Sequence, residues 1–95
     1  MSEIYKALAD PTRRRILELL REREMSAGDI AGHFKLSKPT LSGHFNILRA
    51  AGLVESERSG TTITYRLNIT VLEEALMALF DAFGLKAGGE PGGRP

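Results

Sequence analysis

Lys38, Ser42, Asn46 and Arg49 follow one another at intervals of four, four and three residues. At about 100° per residue, that spacing places all four on one side of a helix. Their side chains are basic, or small and polar. They suit a surface that donates hydrogen bonds to base edges and sets positive charge against phosphates. Leu41, Phe45 and Leu48 fall on the opposite side, flanked by His44 and Ile47. One helix thus has a face for a core and a face for a polyanion.

Other chemistry has little to work with. Cysteine is absent, which removes disulfides, thiolate metal sites and thiol nucleophiles together and fits a reducing cytoplasm. The two histidines have no acid or nucleophile partner at a catalytic spacing, and no glycine loop follows a strand to cradle phosphate, so an enzyme is not expected. Asp29 and His33 are four apart on a predicted helix and form the one candidate metal pair. Nitrogen with carboxylate oxygen suits nickel, zinc or cobalt; the alternative is that His33 is a solvated residue near a helix end. No apolar run approaches the length of a membrane helix, and no basic segment leads into an apolar one as in a secretory signal.

The net charge of +1 is unevenly spread. Residues 35–66 carry five basic and two acidic groups, whereas residues 67–95 carry two basic and four acidic ones. The positive section coincides with the polar helix face, as a polyanion footprint requires.

The elements that must position that face are marked by their ends. Ser37 is a good N-cap, Pro39 fits a first turn, and Gly52 stands where a left-handed residue closes a helix. Before it, Ser2 to Ala9 reads as a short helix. Asp10 caps a second, which has Pro11 at its first position and runs to about Glu22 with Ile16, Leu19 and Leu20 inward. Arg13, Arg14 and Arg15 sit at that helix's electrostatically unfavourable end. They are either solvated and paired, as Arg14 with Glu18, or reserved for phosphate or a dimer salt bridge. Ser26 and Asp29 resemble a capping box for a third helix, about Ala27 to Phe34. A short helix, a tight turn at Lys35–Leu36 and a longer helix with polar outward residues is the helix-turn-helix arrangement.

After Gly52 the period changes from 3.6 to 2. Leu53–Arg58 and Thr62–Leu67 read as two strands joined by Ser59-Gly60-Thr61, a hairpin "wing" that must pack on the helices to be stable. Thr70 then caps a last helix to about Phe83, closed by Gly84. Leu72, Leu76, Leu79, Phe80 and Phe83 give it an apolar face too wide for so small a core. With Ile4 and Leu8 of the first helix, that face is expected to form a two-fold dimer interface; the alternative is packing within one subunit. The expected fold is mainly α with a small β-hairpin, four helices, hairpin and fifth helix in that order, over residues 1–84. Residues 85–95, rich in Gly and Pro, are expected to be a disordered tail.

The segments LADPTRRRILELL, SAGDIAGHFKLSKPTLSGHFNILRAAGLV and RSGTTITYRL, at these spacings, resemble the ArsR/SmtB family of winged helix-turn-helix regulators. The resemblance runs from about Ile4 to Gly84. It is nearest to the autorepressor-like branch that lacks the usual metal-site cysteines. It implies a cytoplasmic homodimer that binds a palindromic double-stranded DNA operator and regulates transcription, commonly as a repressor relieved by an effector. Carried over residue by residue, it assigns DNA contacts to Ser37, Lys38, Thr40, Ser42, Gly43, His44, Asn46 and Arg49 on the helix. On the wing it assigns them to Arg58, Ser59, Gly60 and Thr61.

Lys38 and Arg49 then meet phosphate or guanine, Asn46 adenine, and Ser42 either a base edge or phosphate. Gly43 allows close approach to the groove, or is a tolerated surface glycine. Arg58 enters a minor groove or holds phosphate, or is a solvated turn residue. His44 lies at the edge of the apolar stripe and reads first as a packing and hydrogen-bonding residue, next as a phosphate contact and last as a metal ligand. The chain departs from the family's metal sensors: SAGDIAGHF has no cysteine and the last helix has no histidine. No cofactor is required on this reading, and a divalent metal or a second regulatory protein is left as the effector. A protein-interaction module built on the same winged helix is the competing class.

Overall fold

Asp10 starts the second helix as expected: its carboxylate accepts the Arg13 N–H at 3.0 Å, and Pro11 follows in the first turn. The computed structural model describes residues 2–85. The order is α1 (Ser2–Leu8), α2 (Pro11–Glu22), β1 (Met25–Ser26), α3 (Ala27–Ala31), α4 (Lys38–Ala50), β2 (Val54–Ser59), β3 (Thr62–Leu67) and α5 (Ile69–Ala82). The tail expected to be disordered lies, beyond Leu85, outside the described residues. No helix among the described residues is long and apolar enough to cross a membrane.

The ends of the elements explain their placement. Ser26 Oγ accepts the Asp29 N–H at 3.0 Å to open α3, and Ser37 Oγ accepts the Thr40 N–H at 3.3 Å to open α4. Two helices close alike. At the end of α4, Gly52 N donates to Arg49 O and Leu53 N to Leu48 O; at the end of α5, Gly84 N donates to Asp81 O and Leu85 N to Phe80 O. Both are paired 5→2 and 6→1 closures around a glycine at positive φ, +77° for Gly52 and +71° for Gly84.

Three boundaries differ from the sequence expectation. α5 is capped by Asn68, whose Oδ1 accepts the Val71 N–H at 3.2 Å, so Thr70 falls inside the first turn. Asn is as good a cap as Thr, and the Asn68 N–H is already held by Leu53 O at 2.9 Å. α3 stops at Ala31, three residues early, and the chain turns through His33 and Phe34 on i→i+3 bonds. The hairpin turn is two residues, Gly60-Thr61, because Ser59 pairs with Thr62. Only Gly60 has positive φ there, +63°, as a type II′ turn requires at its first central position.

The larger correction concerns the sheet. The expected two-stranded wing is part of a three-stranded antiparallel sheet in the order β1-β3-β2, with Met25 opposite Tyr65 and Ser26 opposite Thr64. Two residues have no period to read, so β1 was invisible as a pattern. Its effect is to make β3 a central strand and to tie the wing's base to the connection between α2 and α3. The core gathers Ile16 of α2, Ile30 of α3, Leu48 of α4 and Leu53, all fully buried, under that sheet.

Candidate nucleic-acid interface

On α4, Leu41, Phe45 and Leu48 are buried, while Lys38, Ser42, Gly43, Asn46 and Arg49 are exposed. Phe45 stacks on Tyr65 of β3, ring centroids 4.3 Å apart and planes 22° from parallel. The helix is therefore held from its inner side, and its outer face is open. An added Cβ on Gly43 would meet nothing within 4 Å, so this patch of the face is bare backbone. Ser37 and Thr40 are exposed but engaged with each other: the Ser37 hydroxyl accepts the Thr40 N–H and donates to Thr40 Oγ1 at 2.9 Å. The Ser37 oxygen is thus spent as the cap's acceptor, and its hydroxyl is shared with Thr40.

His44 is not on that outer face. Its ring is largely buried where α2 meets α4, with Nδ1 3.1 Å from Arg13 Nη1 and 3.9 Å from the Asp10 carboxylate. A guanidinium has only donors, so Nδ1 must accept and the ring proton sits on Nε2.

Arg13 stood out in the sequence only as part of a basic cluster; its burial and its partners did not. It is 8% exposed and the buried charge of the described chain. Besides His44 it donates to Ala7 O at 3.0 Å and Lys6 O at 2.8 Å, the last carbonyls of α1. Arg14 donates to Leu8 O at 2.8 Å. Two of the three clustered arginines thus compensate the negative end of α1, which explains why they tolerate the positive end of α2. The third pairs with Glu18: it is Arg15, at 3.1 Å, and not Arg14 as expected. A basic cluster directly after a very short helix was the available signal.

The wing brings a second basic element beside α4. Arg58, Ser59, Gly60 and Thr61 are all exposed at its tip. Strand alternation puts Ser56 and Arg58 on the sheet face that carries Tyr65 and α4, and Glu55 and Glu57 on the other. The two acids are held by Arg66, whose Nε meets Glu55 at 3.0 Å and whose Nη1 meets Glu57 at 3.8 Å. The acids of the wing therefore face away from Arg58. A groove of about 510 Å³ runs between α4 and β2, lined by Asn46, Arg49, Ala50, Val54, Glu55 and Ser56.

The other predicted sites are less well assembled. Asp29 is on α3 but His33 lies beyond its end, so the premise that both share one helical face fails. No group of three or more His, Cys, Asp or Glu able to hold a metal exists among the described residues. Of the residues assigned to a dimer face, Ile4, Leu8 and Leu72 pack partly on the chain's own core. Leu79 and Phe80 are half-buried, and Leu76 and Phe83 are exposed.

Comparison with known proteins agrees with this geometry. Residues 10–56 match the model for bacterial regulatory proteins of the arsR family. The chain is 50% identical over 76 residues to the transcriptional repressor SdpR of Bacillus subtilis (strain 168), covering 80% of this chain and 84% of that one. It is 41% identical over 73 residues to an arsenical resistance operon repressor of Staphylococcus xylosus, covering 77% and 70%. A crystal structure of a possible transcriptional regulator for arsenical resistance superposes with a TM-score of 0.75 at 38% identity, covering 85% of this chain and 83% of the other.

Proposed function

The chain belongs to the arsR family of bacterial regulatory proteins, and from that premise we propose that it represses transcription in the cytoplasm by binding a palindromic operator as a homodimer. It is a DNA-binding regulator and not an enzyme. The observation that carries the reading is the outer face of α4, where Lys38, Ser42, Asn46 and Arg49 stand exposed with Arg58 beside them. Major-groove readers of this class place such a helix against base edges, and a dimer sets two of them about 34 Å apart.

A second copy is the occupant that fits α5. Within its span only Ala75 is buried. Met77 is 53% exposed, and Phe83, just beyond the helix, is 73% exposed. Apolar side chains so exposed on one helix are more stable when covered. The α1 residues Ile4 and Leu8 extend the same interface. No metal is needed for DNA binding on this reading, so chelation leaves affinity unchanged; a metal or a second protein remains the effector that would release the operator.

The test is binding of the purified protein to the DNA directly upstream of its own coding sequence, measured across a salt series. Affinity should fall linearly on a log–log plot in proportion to the phosphates neutralised. Asn46→Ala should lose about 1–3 kcal/mol of discrimination at one base position. Affinity that is absent, or indifferent to salt, would favour the protein-interaction reading instead.

A further inference from the structure

Tyr65 is 6% exposed and its ring is core: it lies under Phe45 and opposite Met25 and Ser56 in the sheet. Its hydroxyl has no hydrogen-bond partner among the described residues, although no side-chain oxygen or nitrogen there is both sealed from solvent and unpaired. The ring is therefore buried while the oxygen is not fully sealed from solvent. Buried tyrosines ordinarily spend their hydroxyl on a partner, so this one is left for something outside the chain.

Its surroundings identify the chemistry. Arg49 is one helical turn after Phe45, the ring that Tyr65 stacks on. Arg58 is two residues from Ser56, which faces Tyr65, and so lies on the same sheet face one pair further along. Burial holds the phenol above its ordinary range, and the positive charges of Arg49 and Arg58 pull it the other way. Neither arginine has a carboxylate partner among the described residues. Arg66 holds both acids of the wing; Glu57 is on the opposite face, and Glu55 borders the groove beside Arg49 with its carboxylate already paired.

We propose that the Tyr65 hydroxyl, with the guanidiniums of Arg49 and Arg58, grips one phosphate of the DNA backbone where the reading helix meets the wing. The proposal rests on the DNA-binding reading and deepens it. Two guanidiniums supply the charge, and the phenol supplies a neutral donor that a packed ring holds in place. Because Tyr65 is anchored in β3 and against α4 together, the phosphate would register both elements on the duplex at once. Such a contact positions the protein without reading sequence.

The experiment compares the wild type with Tyr65→Phe, which keeps the ring and its stack. Two duplexes serve as probes: the DNA directly upstream of the coding sequence, and a scrambled duplex of the same composition. Tyr65→Phe should bind both about tenfold more weakly, by the same factor. The salt slope should be unchanged because no charge is lost, and the thermal midpoint should stay near that of the wild type. Arg58→Ala should lower the slope by about one per protomer. In the Arg58→Ala background, Tyr65→Phe should cost less than in the wild type, because the two share one phosphate. Unchanged affinity of Tyr65→Phe overturns the proposal, and so does a loss confined to the upstream duplex or full additivity with Arg58→Ala. A wild type that binds neither duplex at low salt overturns the DNA reading itself, a separate result from a wild type that binds and a variant that matches it.

Discussion

Arg13 draws its partners from two other helices: Lys6 O and Ala7 O at the end of α1, and His44 on α4. No spacing within α2 points to them, since His44 is 31 residues away. The outward residues of α4 were legible because a helix sorts its own side chains by period. His44 was legible as a packing residue at the edge of the stripe; its partner was not, because a distant arginine supplies it. Asp10 completes this junction and offers a test of it. The Arg13 backbone N–H first, and the Arg13 charge after it, hold its carboxyl below the usual carboxylate range despite partial burial. A folded value below the unfolded one stabilises the fold above the usual range, near pH 4, and that gain is lost as pH falls through it. Asp10→Asn keeps the capping oxygen and removes the charge. Urea unfolding should find it less stable than the wild type by about 0.5 kcal/mol at pH 7, with the gap closing as pH falls below the usual carboxylate range. A gap that persists in acid would mean the charge is not its source.

Among the elements, caps and stops were readable because they are local. Asp10, Ser26, Ser37, Gly52 and Gly84 all act where their types suggested. Thr70 was misread because Asn68, two residues earlier, competes for the same role and wins through its bond to Leu53. β1 escaped because two residues become a strand only when β3 is beside them. Gly52 permits a clean measurement. Its φ is +77°, yet an added Cβ would meet nothing within 4 Å, so Gly52→Ala carries backbone strain without a clash. The expected loss is about 1–2 kcal/mol in chemical denaturation. A neutral substitution would show that Leu53 and Leu48 hold the closure without help from glycine.

At the scale of the whole molecule, the single chain leaves α5 with too little to cover it. If a second copy does so, the thermal midpoint rises with protein concentration. Leu76→Asp should remove that dependence, sediment as a monomer and lose affinity for operator DNA. A Leu76→Asp variant that stays dimeric would place the interface elsewhere. The apolar width of α5 was evident from its sequence, as were the order of the helices, the two faces of α4 and the hairpin, because each is a periodicity or an end signal contained in a few neighbouring residues. Only the tertiary structure decided that Met25 and Ser26 would add a third strand, that Arg13 and His44 would meet, and that the Tyr65 hydroxyl would be left without a partner among the described residues, within the field of Arg49 and Arg58. Those outcomes depend on which residues distant in the chain are brought within a few ångströms, and no local pattern records that.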